Sequence, residues 1–295
     1  MAAKLNLVAC QLLSSPDIDD NFAQVERQLK AQKHITNPDW PTLVVLPECF
    51  AIFGGSVAAN LEHCETLGDG MMQSRLAQLA REYGVWLVAG TIPTTCPTTC
   101  PTTCEQPDKY YTTLTVFNPA GALVADYQKI HLFDVDVADA TGAYRESDTT
   151  AAGNRVVLFE LEGITVGLAV CYDVRFPGLF SRLATEGAQI IVLPSAFTLQ
   201  TGQAHWHTLI KARAIENQVY LVAAAQGGIH ANGRQTYGHS LIVDPWGDIL
   251  AEAEPSGEAV VCGLYQQDLL DRVRKNMPVG QHNKFVMSLS VDQNG

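Results

Sequence analysis

Residues 190–197 read IIVLPSAF and residues 43–50 read LVVLPECF. Both are short apolar runs that stop at Leu-Pro without alternating polar and apolar positions, so each reads as a strand buried on two faces. On either side of this pair, further pieces recur in the same order. LVAC at 7–10 resembles LAVC at 168–171, VWLVAG at 85–90 resembles VYLVAA at 219–224, and TVFNPAGALVA at 115–125 resembles LIVDPWGDILA at 241–251. That order reads as one fold unit used twice, with its boundary near residues 140–160.

Helix patterns lie between the strands. NFAQVERQLKAQ places Phe22, Val25 and Leu29 on one face, and MQSRLAQLAREYG does the same with Leu76, Leu79 and Ala80. PGLFSRLATEG opens on proline and closes on glycine, as helices do, and HWHTLIKARAIENQ is a fourth. Turn residues Asn118-Pro119, Gly121 and Pro245-Trp246-Gly247 punctuate the later strands. Each copy then runs strand, helix, strand, helix, strand, strand, a mixed sheet with helices on one face. Two such layers stacked sheet to sheet predict an α/β fold, a four-layer α-β-β-α sandwich with an internal pseudo-twofold repeat, forming a single domain over residues 1–295. The segment 94–108 has no counterpart in the second copy, and its Cys96, Cys100 and Cys104 sit in a Cys-Pro-Thr-Thr repeat. Three cysteines beside prolines lack the spacing of a zinc site, so the segment reads as an inserted loop with no metal.

The composition bounds the chemistry. At 295 residues, 47% hydrophobic and 17% charged, the chain can bury a large core. It contains no apolar run near the ~18 residues of a membrane span. A net charge of −12, with no basic cluster, argues against nucleic acid as a partner. MAAKLNLVACQL enters a strand pattern at once and lacks a signal sequence, so the expected compartment is the cytoplasm and the eight cysteines are expected to be thiols.

One thiol stands out. In GLAVCYDVRFP, residues 167–177, Cys171 ends a strand where a helix is about to begin, a position at which backbone dipoles favour a thiolate. Cys10 holds the matching place in the first copy but is followed by Gln11-Leu12, so position alone does not make a nucleophile. Partners must differ. At the equivalent strand ends the first copy carries Glu48 where the second has Ser195, and Lys129 where the second has Pro255. A pseudo-twofold can bring this carboxylate and amine to the thiol. Glu48 would then act as general base, and Lys129 with the backbone N–H of Tyr172 would stabilise an oxyanion, the set that covalent acyl transfer needs. His131, His205, His207 and His239 leave a Cys-His pairing as the alternative. His205 and Trp206 otherwise read as packing residues, His239 as orienting a strand end, and Arg213 with Glu216 as a helical ion pair.

LPE closing a strand, then KIHLFD, then GLAVCYDVRFP together resemble the Glu-Lys-Cys signature of the nitrilase superfamily of carbon–nitrogen hydrolases, over nearly the whole chain. The resemblance implies Glu48 as base, Lys129 as oxyanion donor, Cys171 as nucleophile and Glu146 as an additional active-site glutamate. Tyr172-Asp173 after the cysteine resembles the amidase branch rather than the nitrilases. What this implies is hydrolysis, through a thioester, of the amide between a 2-oxoglutarate-like acyl group and Cys-Gly, with 2-oxoglutaramate-like or N-carbamoyl substrates, or an inactive scaffold, as alternatives. It implies no metal or organic cofactor, a small anionic partner, and a homo-oligomer, dimer or larger. Candidate substrate contacts are Tyr172, Arg175, Phe197 and Thr198. Arg175 suits a carboxylate clamp because its planar fork binds carboxylates bidentately; pairing with Asp173 or a neighbouring acid is the structural alternative.

Overall fold

A computed structural model describes residues 3–55, 57–95, 109–137 and 142–285. Its strands are β1 (Lys4–Gln11), β2 (Thr42–Val45), β3 (Trp86–Val88), β4 (Ile92–Thr95), β5 (Tyr110–Phe117), β6 (Leu123–Gln128), β7 (Asp134–Asp136), β8 (Ala143–Arg145), β9 (Thr150–Ala151), β10 (Leu158–Leu161), β11 (Ile164–Leu168), β12 (Ile190–Val192), β13 (Tyr220–Ala223), β14 (Gly227–Ile229), β15 (Gln235–Tyr237), β16 (Leu241–Val243), β17 (Ile249–Glu252) and β18 (Ala259–Gln266). The main helices are α1 (Ile18–Gln32), α2 (Val57–Glu62), α3 (Met71–Tyr83), α4 (Pro177–Thr185), α5 (Leu199–Asn217) and α6 (Gln267–Asn276).

Local signals account for the helices. Asp17 caps α1 by accepting from Asp20 N–H, and Phe22, Val25 and Leu29 are buried along one face. α3 buries Leu76 and Ala80 and stops at Gly84, whose φ of +63° is the left-handed conformation glycine takes at no steric cost. α4 begins with Pro177, and Thr198 caps α5.

Two sheets stack between the helices. One runs β18-β1-β2-β3-β5-β4, with β6 and β9 also on β5, and the other runs β10-β11-β12-β13-β16-β17. Successive residues of β1 serve different layers. Val8 and Cys10 pack with Phe22, Val25 and Leu76 of the helices, whereas Leu7 and Ala9 share a core with Val166, Leu168 and Leu221 of the second sheet. This is why the strands read as continuous apolar runs, and it produces the four-layer α-β-β-α sandwich.

Two details differ from the sequence reading. Each copy does not complete its own sheet: β18 pairs antiparallel with β1 from Lys4↔Gln266 to Gln11↔Ala259, and β10 pairs antiparallel with β11. The closing strand of each unit thus lies on the other unit's sheet, covering an edge that would otherwise present unpaired backbone groups. The second difference is register. Val45 and Val192 are equivalent in the repeat, and they pair with Ala9 and Leu168 respectively. Cys10 therefore answers Ala169, and Leu12 answers Cys171. A slip of two residues keeps every side chain on its face, so the apolar pattern could not reveal it. Of the inserted segment 94–108, Cys96, Cys100 and Cys104 lie outside the described residues. Among the described residues the cysteines are free thiols, and no helix is long and apolar enough to cross a membrane.

Candidate active site

Four loop ends converge on a cavity of about 330 Å³ that Glu48, Lys129, Glu146 and Cys171 line. β2 runs out through Leu46, whose N–H donates 2.9 Å to Val88 O, and delivers Glu48 with only 5% exposure. The main-chain oxygen of Glu48 accepts 3.1 Å from Gln226 Nε2, and the same amide nitrogen donates 2.8 Å to Ser14 Oγ. Lys129 follows β6, held by its N–H to Thr112 O at 3.0 Å and by its own carbonyl, which accepts from Gly153 at 2.8 Å. Its Nζ donates 2.8 Å to Glu48 Oε1 and 2.8 Å to Glu146 Oε2. Glu146 stands in a 3₁₀ turn after the β7–β8 hairpin and also accepts 2.7 Å from Phe133 N–H.

Cys171 comes from the other half of the chain. Its φ of +45° is left-handed, a costly conformation for a side chain larger than glycine, and its N–H donates 2.8 Å to Pro194 O. The 3₁₀ turn Cys171–Arg175 follows, and α4 opens only at Pro177. The expected lowering of the thiol pKa by a helix dipole is overturned. Burial pushes the Cys171 thiol well above its ordinary range and the Glu48 carboxylate adds to this, outweighing Lys129 and the Ala196 N–H, which favour the thiolate. The short turn offers too little aligned dipole to compete. A protonated thiol beside a carboxylate has its proton acceptor at hand. Burial alone would lower the Lys129 pKa, but Glu146 and Glu48 hold it well above the ordinary value, so the amine stays cationic.

Asp173, fully buried, accepts from Tyr127 Oη at 2.7 Å, Val170 N–H at 2.8 Å, and His131 N–H at 3.2 Å, with His131 Nδ1 at 2.7 Å. Arg175 does not pair with it. Instead its guanidinium lies against the rings of Tyr172 and Phe197, 5.8 and 5.3 Å from their centroids, and meets His205 Nδ1 at 3.2 Å. Tyr172, Arg175 and Phe197 line the cavity, but Thr198 does not: its hydroxyl is spent capping α5, and Thr201 reaches the wall in its place.

His131 meets Asp173, His205 meets Arg175, and His207 and His239 meet Glu252, so among the described residues none of these imidazoles pairs with Cys171. Trp206 is buried and donates to His239 O at 2.8 Å, and Arg213 pairs with Glu216 at 2.7 Å while its Nε holds Val174 O at 2.8 Å. Among the described residues, one group has atoms close enough to ligate a metal: His207, His239 and Glu252, within 4.8 Å of one another. It lies outside the cavity, and one Glu252 oxygen already meets both imidazoles. Gln226, Tyr127 and Arg234 are not marked by the sequence, because single polar residues carry no spacing signal.

A family model for carbon-nitrogen hydrolases matches residues 7–275. The chain is 41% identical over 284 residues to deaminated glutathione amidase of Yersinia enterocolitica, covering 96% of this chain and 94% of that protein. It is 38% identical over 285 residues to deaminated glutathione amidase of Homo sapiens, covering 96% and 84%. In structure it resembles the C. elegans NitFhit protein, with a TM-score of 0.84, 31% identity and coverage of 98% of this chain and 68% of that one. Saccharomyces cerevisiae Nit3, a member of branch 10 of the nitrilase superfamily, superposes with a TM-score of 0.80 and 31% identity, covering 96% and 97%.

Proposed function

The chain belongs to the carbon–nitrogen hydrolase family, and on that premise we propose that it is an amidase that hydrolyses deaminated glutathione to 2-oxoglutarate and Cys-Gly. The observation that carries the chemistry is the buried ammonium of Lys129, clamped at 2.8 Å by both Glu48 and Glu146 on the wall it shares with Cys171. The relatives supply the substrate.

Glu48 takes the Cys171 proton as sulfur attacks the amide carbon. The oxygen of the resulting tetrahedral adduct faces the Lys129 ammonium and the Tyr172 N–H; one such donor is typically worth about 3 kcal/mol in the transition state. Collapse breaks the carbon–nitrogen bond while Glu48 returns the proton to the departing amine, leaving a 2-oxoglutaryl thioester on Cys171. Water, deprotonated by Glu48, then attacks the thioester, and the carbon–sulfur bond breaks to release 2-oxoglutarate and restore the thiol. Glu146 keeps Lys129 charged and aimed throughout. Arg175, free of any carboxylate partner among the described residues, holds the acyl-side carboxylate.

The test compares kcat/KM for deaminated glutathione and 2-oxoglutaramate and seeks the acyl adduct by mass spectrometry in wild type and Cys171→Ala. Preference for deaminated glutathione, with a trapped adduct absent from the variant, is the expected result. No turnover of either amide, with Cys171 unmodified, would sink the proposal.

A further inference from the structure

Arg234 is the feature of the cavity that the proposed chemistry leaves unused. It immediately precedes β15, the return strand of the β14–β15 hairpin, and its guanidinium rests against two rings, 4.9 Å from the centroid of Phe53 and 5.0 Å from that of Tyr144. Its Nη2 donates 2.9 Å to the carbonyl of Ala196, the residue whose N–H faces the Cys171 sulfur. Its Nε is buried and has no hydrogen-bond acceptor among the described residues. Neither Arg234 nor Arg175 joins an ion pair among the described residues. A buried donor without an acceptor is costly, and a guanidinium fixed by flat rings is pre-organised to bind a planar anion.

The charges of the cavity point the same way. The Lys129 cation is balanced by Glu48 and Glu146, whereas Arg175 and Arg234 have no such balance in a protein of net charge −12. Two guanidinium groups that line one cavity with no ion-pair partner among the described residues suit a substrate with two negative ends. Building on the amidase reading above, we propose that Arg234 binds the second carboxylate of the substrate, the glycyl carboxylate of the leaving Cys-Gly. Gly54, Gly55 and Asn232 line the cavity beside it, and the exposure of Gly55 and Asn232 places Arg234 toward the rim. There the longer leaving half has room to extend, two residues spanning about 7 Å. The arginine thereby sets specificity: it separates dianionic amides with a carboxylated leaving group from small amides that release ammonia.

The test is equilibrium binding by calorimetry to the intact protein carrying Cys171→Ala, which cannot form the thioester. The ligands are deaminated glutathione and the same molecule with its glycyl carboxylate converted to a primary amide. The acid should bind at least about tenfold more tightly than the amide, the worth of one charge-assisted hydrogen bond. Adding Arg234→Gln should bring that preference below about twofold, and Arg234→Lys, which keeps the charge and loses the fork, should leave an intermediate preference. Adding Arg175→Gln instead should weaken both ligands and leave their ratio standing. If the parent shows no preference, or if the preference survives Arg234→Gln, the inference is overturned; should the glutamine variant not fold, an undiminished preference in Arg234→Lys overturns it equally. If the preference behaves as stated but wild type hydrolyses neither deaminated glutathione nor 2-oxoglutaramate, the carboxylate site stands and the proposed reaction falls.

Discussion

The hydroxyl of Tyr127, at the end of β6, donates a 2.7 Å hydrogen bond to Oδ2 of Asp173, two residues beyond Cys171. Val170 N–H shares that oxygen, and His131 donates to the other from its backbone and faces it with Nδ1. Tyr127 and His131 flank Lys129, so one buried carboxylate ties the lysine loop to the cysteine loop. Asp173 distinguishes the amidase-like motif by sequence, and in the fold it fixes Cys171 and the Lys129 ammonium relative to each other.

Asp173→Asn should therefore be more disruptive than its size suggests. Donors face both oxygens, and an amide NH₂ must meet one set of them head-on, leaving buried groups unpaired. A loss of about 3 kcal/mol in urea unfolding is expected, together with a large fall in kcat. Unchanged stability would mean that the carboxylate is not the tie.

Lys129→Met and Glu146→Gln should part company. Without the ammonium, the buried Glu48 and the half-buried Glu146 are left as facing like charges, so Lys129→Met should lose activity by at least about 10³-fold and cost roughly 3 kcal/mol of stability. Glu146→Gln keeps Lys129 paired to Glu48 at 2.8 Å and should retain the fold with a smaller loss of kcat. Steady-state kinetics beside thermal unfolding checks both.

Arg175→Lys retains the charge but not the bidentate fork. KM for an anionic amide should rise about tenfold or more, with a neutral amide little affected. Equal changes for the two substrates would remove Arg175 from substrate binding.

His230 should set an acid limit on stability. Its Nδ1 faces the Ser14 carbonyl at 2.9 Å and so carries a proton, which in the neutral ring leaves Nε2 to accept from Thr236 Oγ1 at 2.8 Å. Burial lowers its pKa from 6.5 to about 4. The unfolded chain then binds a proton that the folded chain refuses, so this contribution is present above pH 6.5 and lost as pH falls toward 4. Denaturant unfolding should weaken by about 1.4 kcal/mol per pH unit across that window, relative to His230→Gln. Parallel pH profiles for the two proteins would refute this.

The residue types of the candidate site were legible because each closes a strand in a chain built as two copies. Asymmetry between the copies, Glu48 against Ser195 and Lys129 against Pro255, marked them. What that comparison could not supply was register and environment. Cys10 reads in sequence as the twin of Cys171, yet the pairing sets it level with Ala169, facing the helices, where burial raises its pKa to about 12. Thr198 reads as a substrate contact and is a helix cap. Arg234 gave no signal at all, since nothing in its spacing distinguishes it from a surface arginine.

The sequence by itself determined the strands, the helices, the twofold reuse of one unit and the chemical groups at its loop ends, because burial on two faces, helical periodicity and capping are local properties. The tertiary structure alone decided the exchange of β10 and β18 between sheets, the left-handed turn at Cys171, the carboxylates on either side of Lys129 and the guanidinium of Arg234, which has no ion-pair partner among the described residues. These depend on pairings such as Lys129 with Glu48 across 81 residues and Gln226 with Glu48 across 178. A two-residue slip or a distant partner leaves the local pattern unchanged while it changes which groups are desolvated together, and shared desolvation is what couples the thiol, the carboxylates and the ammonium of this cavity.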